Sequence, residues 1–323
     1  MSNVPVTLSE IQEARRRIVN VAHRTPLYFA PRLSTLTNSK VYLKIESYQP
    51  IRVFKIRGAA NKILKLSSEE RRRGLVAASS GNHGLAVAYL AQLLGTDATI
   101  VVPTNAVHEK VEAIKELGAN IIKYGLFHDE RTGKALEIKK TSGAVFIHPF
   151  DDPDVIAGQG TIGLEIVEDL PDVDAVIVPI GGGGLISGVS RAVKSLRPAT
   201  KVIGVEPEKA SSMYQSIKNG RITSLSDTRS IADGLAAREP GLNTFEIVKS
   251  NVDEIVLVSE EEIERAVFTV MRECHLVVEP SAAAAFAGLL KINPHKLGEK
   301  RVVVVSGGNI SLKTLKEILS KYA

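Results

Sequence analysis

Tryptophan is absent from this chain, and cysteine occurs once, at Cys274. A single cysteine excludes a disulfide framework within the chain and makes a reducing cytoplasm the expected compartment. Aromatic residues make up only 5% of the 323 positions, so no platform for stacking nucleic-acid bases is visible and no nucleic-acid partner is expected. No apolar run approaches the roughly 20 residues that cross a bilayer, and the polar N-terminus lacks the basic-then-apolar order of a secretory signal. No membrane partner is expected. The basic excess is slight, 41 Lys and Arg against 36 Asp and Glu. Its one tight run, Arg15-Arg16-Arg17, lies in an amphipathic helical pattern and suits a solvated helix face. No Pro-, Gly- or Ser-rich linker and no simple repeat breaks the chain. What remains is 44% hydrophobic, enough for a sizeable core.

The spacing predicts a helix over residues 7–22. Thr7 and Glu10 fit a capping box, and Ile11, Ala14, Ile18 and Val21 recur at helical intervals. Beyond it, short β-branched runs alternate with longer amphipathic stretches. The runs are 41–45, 75–78, 99–102, 121–122, 145–147, 175–179, 202–205, 255–258 and 302–305. Several are apolar throughout, which suits strands covered on both faces by helices. Helical patterns between them include 85–94, 107–117, 162–170, 185–196 and 260–273. The alternation predicts an α/β fold with parallel sheet. Three runs end in polar or glycine-rich turns: Ser79-Ser80-Gly81-Asn82-His83, Gly181-Gly182-Gly183-Gly184 and Ser306-Gly307-Gly308-Asn309. Ligands of open α/β sheets bind beyond the carboxyl ends of strands, so these turns are expected to meet at one cleft.

Four consecutive glycines open backbone conformations closed to other residues and expose successive N–H groups, and the helix that follows adds its positive end. A phosphate is the natural guest. A tight strand-to-helix turn is the plainer alternative, but four glycines cost backbone entropy without a packing gain. A nicotinamide cofactor remains a rival at this point. The G-x-G-x-x-G spacing cannot be placed here, yet Glu206 ends the next strand about 20 residues on, where a ribose-binding acid would sit.

Phe54-Lys55-Ile56-Arg57-Gly58-Ala59 places a lysine just before a helical stretch. The positive end of a helix disfavours an ammonium and promotes the neutral amine that forms Schiff bases. In isolation such a lysine is most often a solvated surface residue. The turn at Ser79 and Ser80 offers hydroxyls and backbone N–H groups at a helix start, which suits a carboxylate, although a helix cap alone explains it equally well.

Taken together, these residues resemble the fold-type-II pyridoxal-phosphate enzymes, in the branch of the threonine dehydratases and serine racemases. The similarity spans nearly the whole chain. It runs through Arg24-Thr25-Pro26-Leu27, Lys44-Ile45-Glu46 with Gln49, the Phe54-Lys55 motif, the Ser79 turn and His148-Pro149-Phe150-Asp151-Asp152. It continues through Gly158-Gln159-Gly160-Thr161, the four glycines, Glu279-Pro280-Ser281 and the Ser306 turn. The resemblance implies that Lys55 carries pyridoxal 5'-phosphate and shuttles the Cα proton, and that Phe54 flanks the cofactor ring. It further implies that Asn82 bonds the phenolic oxygen, that Gly181, Gly182, Gly183 and Gly184 hold the phosphate, and that Ser306 faces the pyridine nitrogen. Ser79, Ser80, Asn82 and His83 would hold the carboxylate of a small hydroxy amino acid. The implied reaction is dehydration of threonine, then serine, to a 2-oxo acid and ammonia.

Two positions depart from the family pattern. Ile51-Arg52-Val53 stands where a Thr-Gly-Ser turn is usual, which bears on the substrate more than on the cofactor. Relatives in the racemase branch bind Mg2+ or another divalent cation, and the matching positions here are Glu206, Ala210 and Ser212, with a serine in place of the second carboxylate. Racemisation, with Ser80 as the acid on the face opposite Lys55, is the enzymatic alternative, alongside dehydration of L-threo-3-hydroxyaspartate. A non-catalytic cofactor carrier or amino-acid sensor is the alternative of another class.

The resemblance implies two open twisted α/β domains like those of the tryptophan synthase β subunit, with the active site in the cleft between them. A large domain would combine residues 1–70 and 148–323, and a small mobile one would span 71–147. It also implies a homodimer or homotetramer. Regulation by isoleucine or valine would call for a C-terminal domain. None is expected, because the chain ends one helix after the Ser306 turn.

Overall fold

Each of the apolar runs forms or overlaps a strand in the computed structural model, which describes residues 6–126 and 128–323. The strands are β1 (Leu27–Phe29), β2 (Lys40–Ile45), β3 (Leu75–Ala78), β4 (Ala98–Val102), β5 (Asn120–Lys123), β6 (Val145–Phe146), β7 (Ala175–Pro179), β8 (Lys201–Pro207), β9 (Glu254–Val258) and β10 (Lys300–Val305). They build two sheets. One is six-stranded in the order β1-β2-β10-β7-β8-β9, the other four-stranded in the order β5-β4-β3-β6.

All pairings between these strands are parallel except one. β1 runs antiparallel to β2, with Leu27 opposite Lys44. The sheets are otherwise parallel as expected, and the sequence pattern did not reveal this one edge strand. A strand of three residues, two of them exposed, carries no alternation to read, and it lies at the sheet edge where pairing is needed on one side only.

The interior strands are buried on both faces, and their residues alternate between two cores. Ala175 and Ile177 of β7, with Val303 and Val305 of β10, pack against the alanine-rich helix Pro280–Lys291. Val176, Val178, Val302 and Val304 face the helices Pro153–Asp169 and Gly184–Leu196. The helix Lys55–Lys65 buries Ile56, Ala59, Ala60 and Ile63 in a third core shared with Leu75 and Ala77 of the smaller sheet. Phe54 packs on both the second and the third core, so Lys55 begins its helix at the junction between the sheets.

Three helices meet there almost backbone to backbone. A Cβ on Gly158 would lie 2.5 Å from the Arg57 carbonyl oxygen, and one on Gly188 would lie 2.4 Å from the Ile156 carbonyl oxygen. The helix Pro153–Asp169 therefore locks the Lys55 helix on one side and the helix that follows the four glycines on the other.

Beneath the Lys55 helix sits a buried set of charges. The Arg57 guanidinium donates to Glu46 (Nε to Oε2, 2.7 Å) and to Glu165 (Nη1 to Oε1, 2.6 Å), and Lys44 Nζ donates to Glu165 Oε2 at 2.5 Å. Thr25 and Gln49 complete the Glu46 carboxylate at 2.5 and 3.1 Å. Burial alone would raise the Glu46 carboxyl, but the charge and hydrogen bonds of Arg57 outweigh it and hold Glu46 below its ordinary value. Two cations and two anions cancel, which is what makes such burial tolerable.

Candidate active site

Lys55 Nζ donates to the Pro149 carbonyl oxygen at 2.7 Å and stands 5.2 Å from the centre of the Phe54 ring. Burial pushes its amine down to about 8, with the Glu279 carboxylate acting in the opposite direction. The Pro149 carbonyl is presented by a turn in which His148 Nδ1 accepts the Asp151 N–H at 2.8 Å.

The turn carries Phe150 onto the four glycines. A Cβ at Gly182 would meet the Phe150 ring at 2.4 Å, and one at Gly184 would meet the Phe150 Cα at 2.9 Å. Gly183 has φ +94° and no room for a side chain beside Met213 and Thr244. The Thr244 hydroxyl fixes the loop by donating to the Gly182 carbonyl at 2.8 Å, and Asp151 caps the helix that presents Thr244. Gly181 approaches Gly234 and Leu235, and the Gly234 N–H donates to Ser281 Oγ at 3.0 Å. The glycines are thus required by what surrounds them as well as by the conformation of the loop.

Ser281 leads back to Glu279, and Glu279 to the smaller sheet. Asn82 Nδ2 donates to Glu279 Oε1 and Oε2 at 2.9 and 3.1 Å, while Asn82 Oδ1 accepts from Asn309 Nδ2 at 2.8 Å. Asn309 ends the turn that begins at Ser306. The Ser306 carbonyl accepts the Phe54 N–H at 3.0 Å, and an antiparallel bridge joins Val53 to Gly307. A ring of contacts therefore passes from Lys55 through Pro149, Phe150, the glycine loop, Gly234, Ser281, Glu279, Asn82, Asn309 and Ser306 back to Phe54.

Ser79 and Ser80 lie half-buried on the loop leading into the helix Asn82–Leu94. Ser79 Oγ accepts the Gly81 N–H at 3.2 Å. The first N–H groups of a helix have no partner within it, so this turn presents donors toward the loop. The His83 ring is turned away into the core: Nε2 lies 2.8 Å from the Ile147 carbonyl oxygen, and the residue is 3% exposed. The backbone of His83, rather than its imidazole, belongs to the loop.

Arg52 adopts φ +59°, a left-handed conformation that explains why glycine is usual at this position, and its carbonyl accepts the Gly308 N–H at 2.9 Å. Val53 beside it is fully buried.

Glu206, Ala210 and Ser212, the positions matching the expected cation site, lie at and just before the start of the helix Ser212–Asn219. Glu206 Oε1 and Oε2 accept the backbone N–H groups of Met213 and Tyr214 at 2.9 and 2.7 Å, capping the helix Ser212–Asn219. Burial raises this carboxyl to about 8. The Ser212 hydroxyl is buried without a hydrogen-bond partner. Among the described residues no group of three or more His, Cys, Asp or Glu is placed to hold a metal ion. Cys274 is half-buried, and burial pushes its thiol up to about 11, away from the thiolate form that reacts.

The roles of Pro149, Phe150, Thr244, Glu279 and Asn309 were not legible from the sequence. Pro149, Phe150, Glu279 and Asn309 stand out only as parts of the family pattern, with no chemistry attached to them, and Thr244 lies in none of its motifs.

The arrangement fits a phosphorylated aldehyde. The glycine loop and the first turn of its helix offer backbone donors without side chains, and an amine depressed toward neutrality stands on the same ring of contacts. The family description "Pyridoxal-phosphate dependent enzyme" matches residues 18–308. The chain is 50% identical to the L-threonine ammonia-lyase of Thermotoga maritima, over 98% of this chain and 79% of that protein. It is 42% identical to the catabolic L-threonine dehydratase of Escherichia coli K12, over 98% and 97% respectively. The solved structure of maize serine racemase superposes with a TM-score of 0.92 at 37% identity, covering 98% of each chain.

Proposed function

Because this chain belongs to the pyridoxal-phosphate dependent enzymes, we propose that it is a lyase that eliminates water from L-threonine, and less readily from L-serine, the enamine then taking water back to release ammonia. The products are 2-oxobutyrate and pyruvate. The observation that supports this reading is the ring of contacts, which links the Lys55 amine to the glycine loop and to a turn with a serine, not a carboxylate, at position 306.

Pyridoxal phosphate, when bound, supplies the electron sink that makes the substrate Cα–H acidic. Everything else falls to the protein. Gly181, Gly182, Gly183 and Gly184 hold the phosphate through backbone N–H groups. Lys55 would hold the cofactor through its amine and, with that amine free, would take the Cα proton. An amine at about 8 leaves about a tenth neutral at pH 7, against roughly three in ten thousand for the ordinary value of 10.5.

Ser79, Ser80 and the first-turn amides of the helix Asn82–Leu94 orient the substrate carboxylate, with His83 contributing through its backbone. Asn82 donates to the phenolic oxygen. Ser306 offers the ring nitrogen a hydroxyl, which unlike a carboxylate does not keep that nitrogen protonated. A substrate with a β-hydroxyl then reacts best, because its leaving group departs as the Cα proton is lost. The enamine released hydrolyses in water to the 2-oxo acid and ammonia.

We infer further that residues 71–147 move as a unit to exclude water from the cleft. Lys110 of the helix His108–Lys115 pairs with Asp233 in the turn that packs on Gly181, an ion pair linking the two sides.

A second reading, serine racemisation, is favoured by Ser80. It enters from the smaller sheet, whereas Lys55 begins a helix of its own. The test is a 2-oxo acid assay with L-threonine, L-serine and L-threo-3-hydroxyaspartate, together with chiral analysis of the serine. Ammonia without D-serine supports the lyase. D-serine as the main product favours the racemase, and no turnover of any substrate leaves a carrier or sensor.

A further inference from the structure

We propose that Glu279 is a positioning residue for the cofactor, holding the Asn82 amide so that one of its N–H groups is left for the ring. The proposal rests on the reading that this cleft binds pyridoxal phosphate.

Both ends of the Asn82 amide are assigned by their partners. Nδ2 meets only acceptors on Glu279, and Oδ1 meets a donor on Asn309, whose Nδ2 is itself anchored to the Ile51 carbonyl at 3.1 Å. A carboxylate accepts and cannot donate, so it fixes the Asn82 amide nitrogen toward itself. Both Glu279 contacts come from that single nitrogen, and its second hydrogen remains for a ligand.

Glu279 is itself held firmly. Its N–H donates to the Gly307 carbonyl at 3.2 Å, and Pro280 starts the next helix directly after it. Gly307 leaves no space beside it: a Cβ there would lie 2.6 Å from Glu279 Oε1.

Glu279 is 6% exposed, and its side chain partners an amide rather than a cation. Burying a carboxylate on such terms is costly, and a structural role would be met more cheaply by glutamine. Costly burial of this kind clusters at sites where charge does chemistry. The groups acting on Glu279 come from four directions. Burial raises its carboxyl to about 7, Asp233 adds to the rise, and Asn82, Lys110 and the Asn309 N–H oppose it. Lys55 in turn is the amine on which the Glu279 charge acts, favouring its protonated form.

The test is Glu279→Gln in the full chain, reconstituted with pyridoxal phosphate and followed without substrate. Two quantities are read, the dissociation constant for pyridoxal phosphate and the pH midpoint of the visible absorption change of the bound cofactor. Thermal unfolding serves as the control for folding. Loss of the nearby anion is expected to lower the midpoint by about 1 pH unit or more while the fold is kept. An unchanged midpoint with unchanged affinity overturns the proposal.

Should Glu279→Gln not fold, Glu279→Asp keeps the charge and withdraws it from Asn82. Weaker cofactor binding is then expected, and wild-type affinity overturns the proposal. A wild-type protein that takes up no pyridoxal phosphate overturns the proposal together with the reading beneath it, whereas normal uptake with an unmoved midpoint overturns the proposal alone.

Discussion

Gly158 lies so close to Arg57 that an added Cβ would stand 2.5 Å from the Arg57 carbonyl oxygen. The contact holds the helix that begins with Lys55 against the helix Pro153–Asp169, whose other side carries the glycine-loop helix. Gly158→Ala is therefore expected to destabilise the fold by about 1–3 kcal/mol, the usual cost of overpacking, and to displace Lys55 from the glycines. Urea unfolding and the pyridoxal phosphate dissociation constant measure the two effects. Wild-type values in both would refute the locking role.

Arg57 neutralises two buried carboxylates at once. Arg57→Leu leaves Glu46 and Glu165 facing Lys44 alone, and breaking such a set is expected to cost about 3–5 kcal/mol at pH 7. Without Arg57, burial raises the folded-state Glu46 carboxyl above its unfolded value. A group raised in this way favours the fold most at low pH and loses that contribution as pH rises through its folded value. The variant should accordingly recover part of its deficit below pH 5, which thermal melts across pH would show.

How much of this was readable beforehand differs by element. β3, β7 and the 302–305 run of β10 announce themselves because each is buried on both faces and so apolar throughout. β1 does not, being short, edge-placed and largely exposed. Lys55, the glycines and Ser306 stand in local motifs whose chemistry is visible in their own side chains. Glu279 and Asn309 meet Asn82 from 197 and 227 residues away, and such pairings are set by the course of the chain through the two sheets. The contacts of the His83 ring with the Ile147 carbonyl and of the Glu206 carboxylate with a helix N-terminus were likewise not legible, because the fold sets both.

Gly183 tests the phosphate cradle. With φ +94° and a Cβ position 2.6 Å from Met213 Cε, Gly183→Ala must move the loop. Pyridoxal phosphate should bind at least about tenfold more weakly, since a misplaced donor set forfeits 1.4 kcal/mol or more. Equilibrium titration of the apoprotein measures this, and unaltered affinity would show that the phosphate lies elsewhere.

The Lys55 amine, lowered to about 8 chiefly by burial, links stability to pH in the cofactor-free protein. Between pH 8 and the unfolded value of 10.5 the folded state has released a proton that the unfolded chain still holds, so stability rises with pH across that window. Below pH 8 the buried charge is a burden. Cofactor-free Lys55→Met should therefore melt at a higher temperature than the wild-type apoprotein at pH 7, with the difference shrinking toward pH 10. Equal melting temperatures at pH 7 would mean that Lys55 is solvated.

The most direct measurement of the central claim is chemical trapping. The purified protein is incubated with pyridoxal phosphate, reduced with borohydride and digested, and the modified peptide is sequenced by mass spectrometry. The account predicts a single pyridoxyl group on the peptide containing Phe54-Lys55-Ile56, and loss of 2-oxobutyrate formation from L-threonine after the same reduction. A label on another lysine, or none at all, would contradict it.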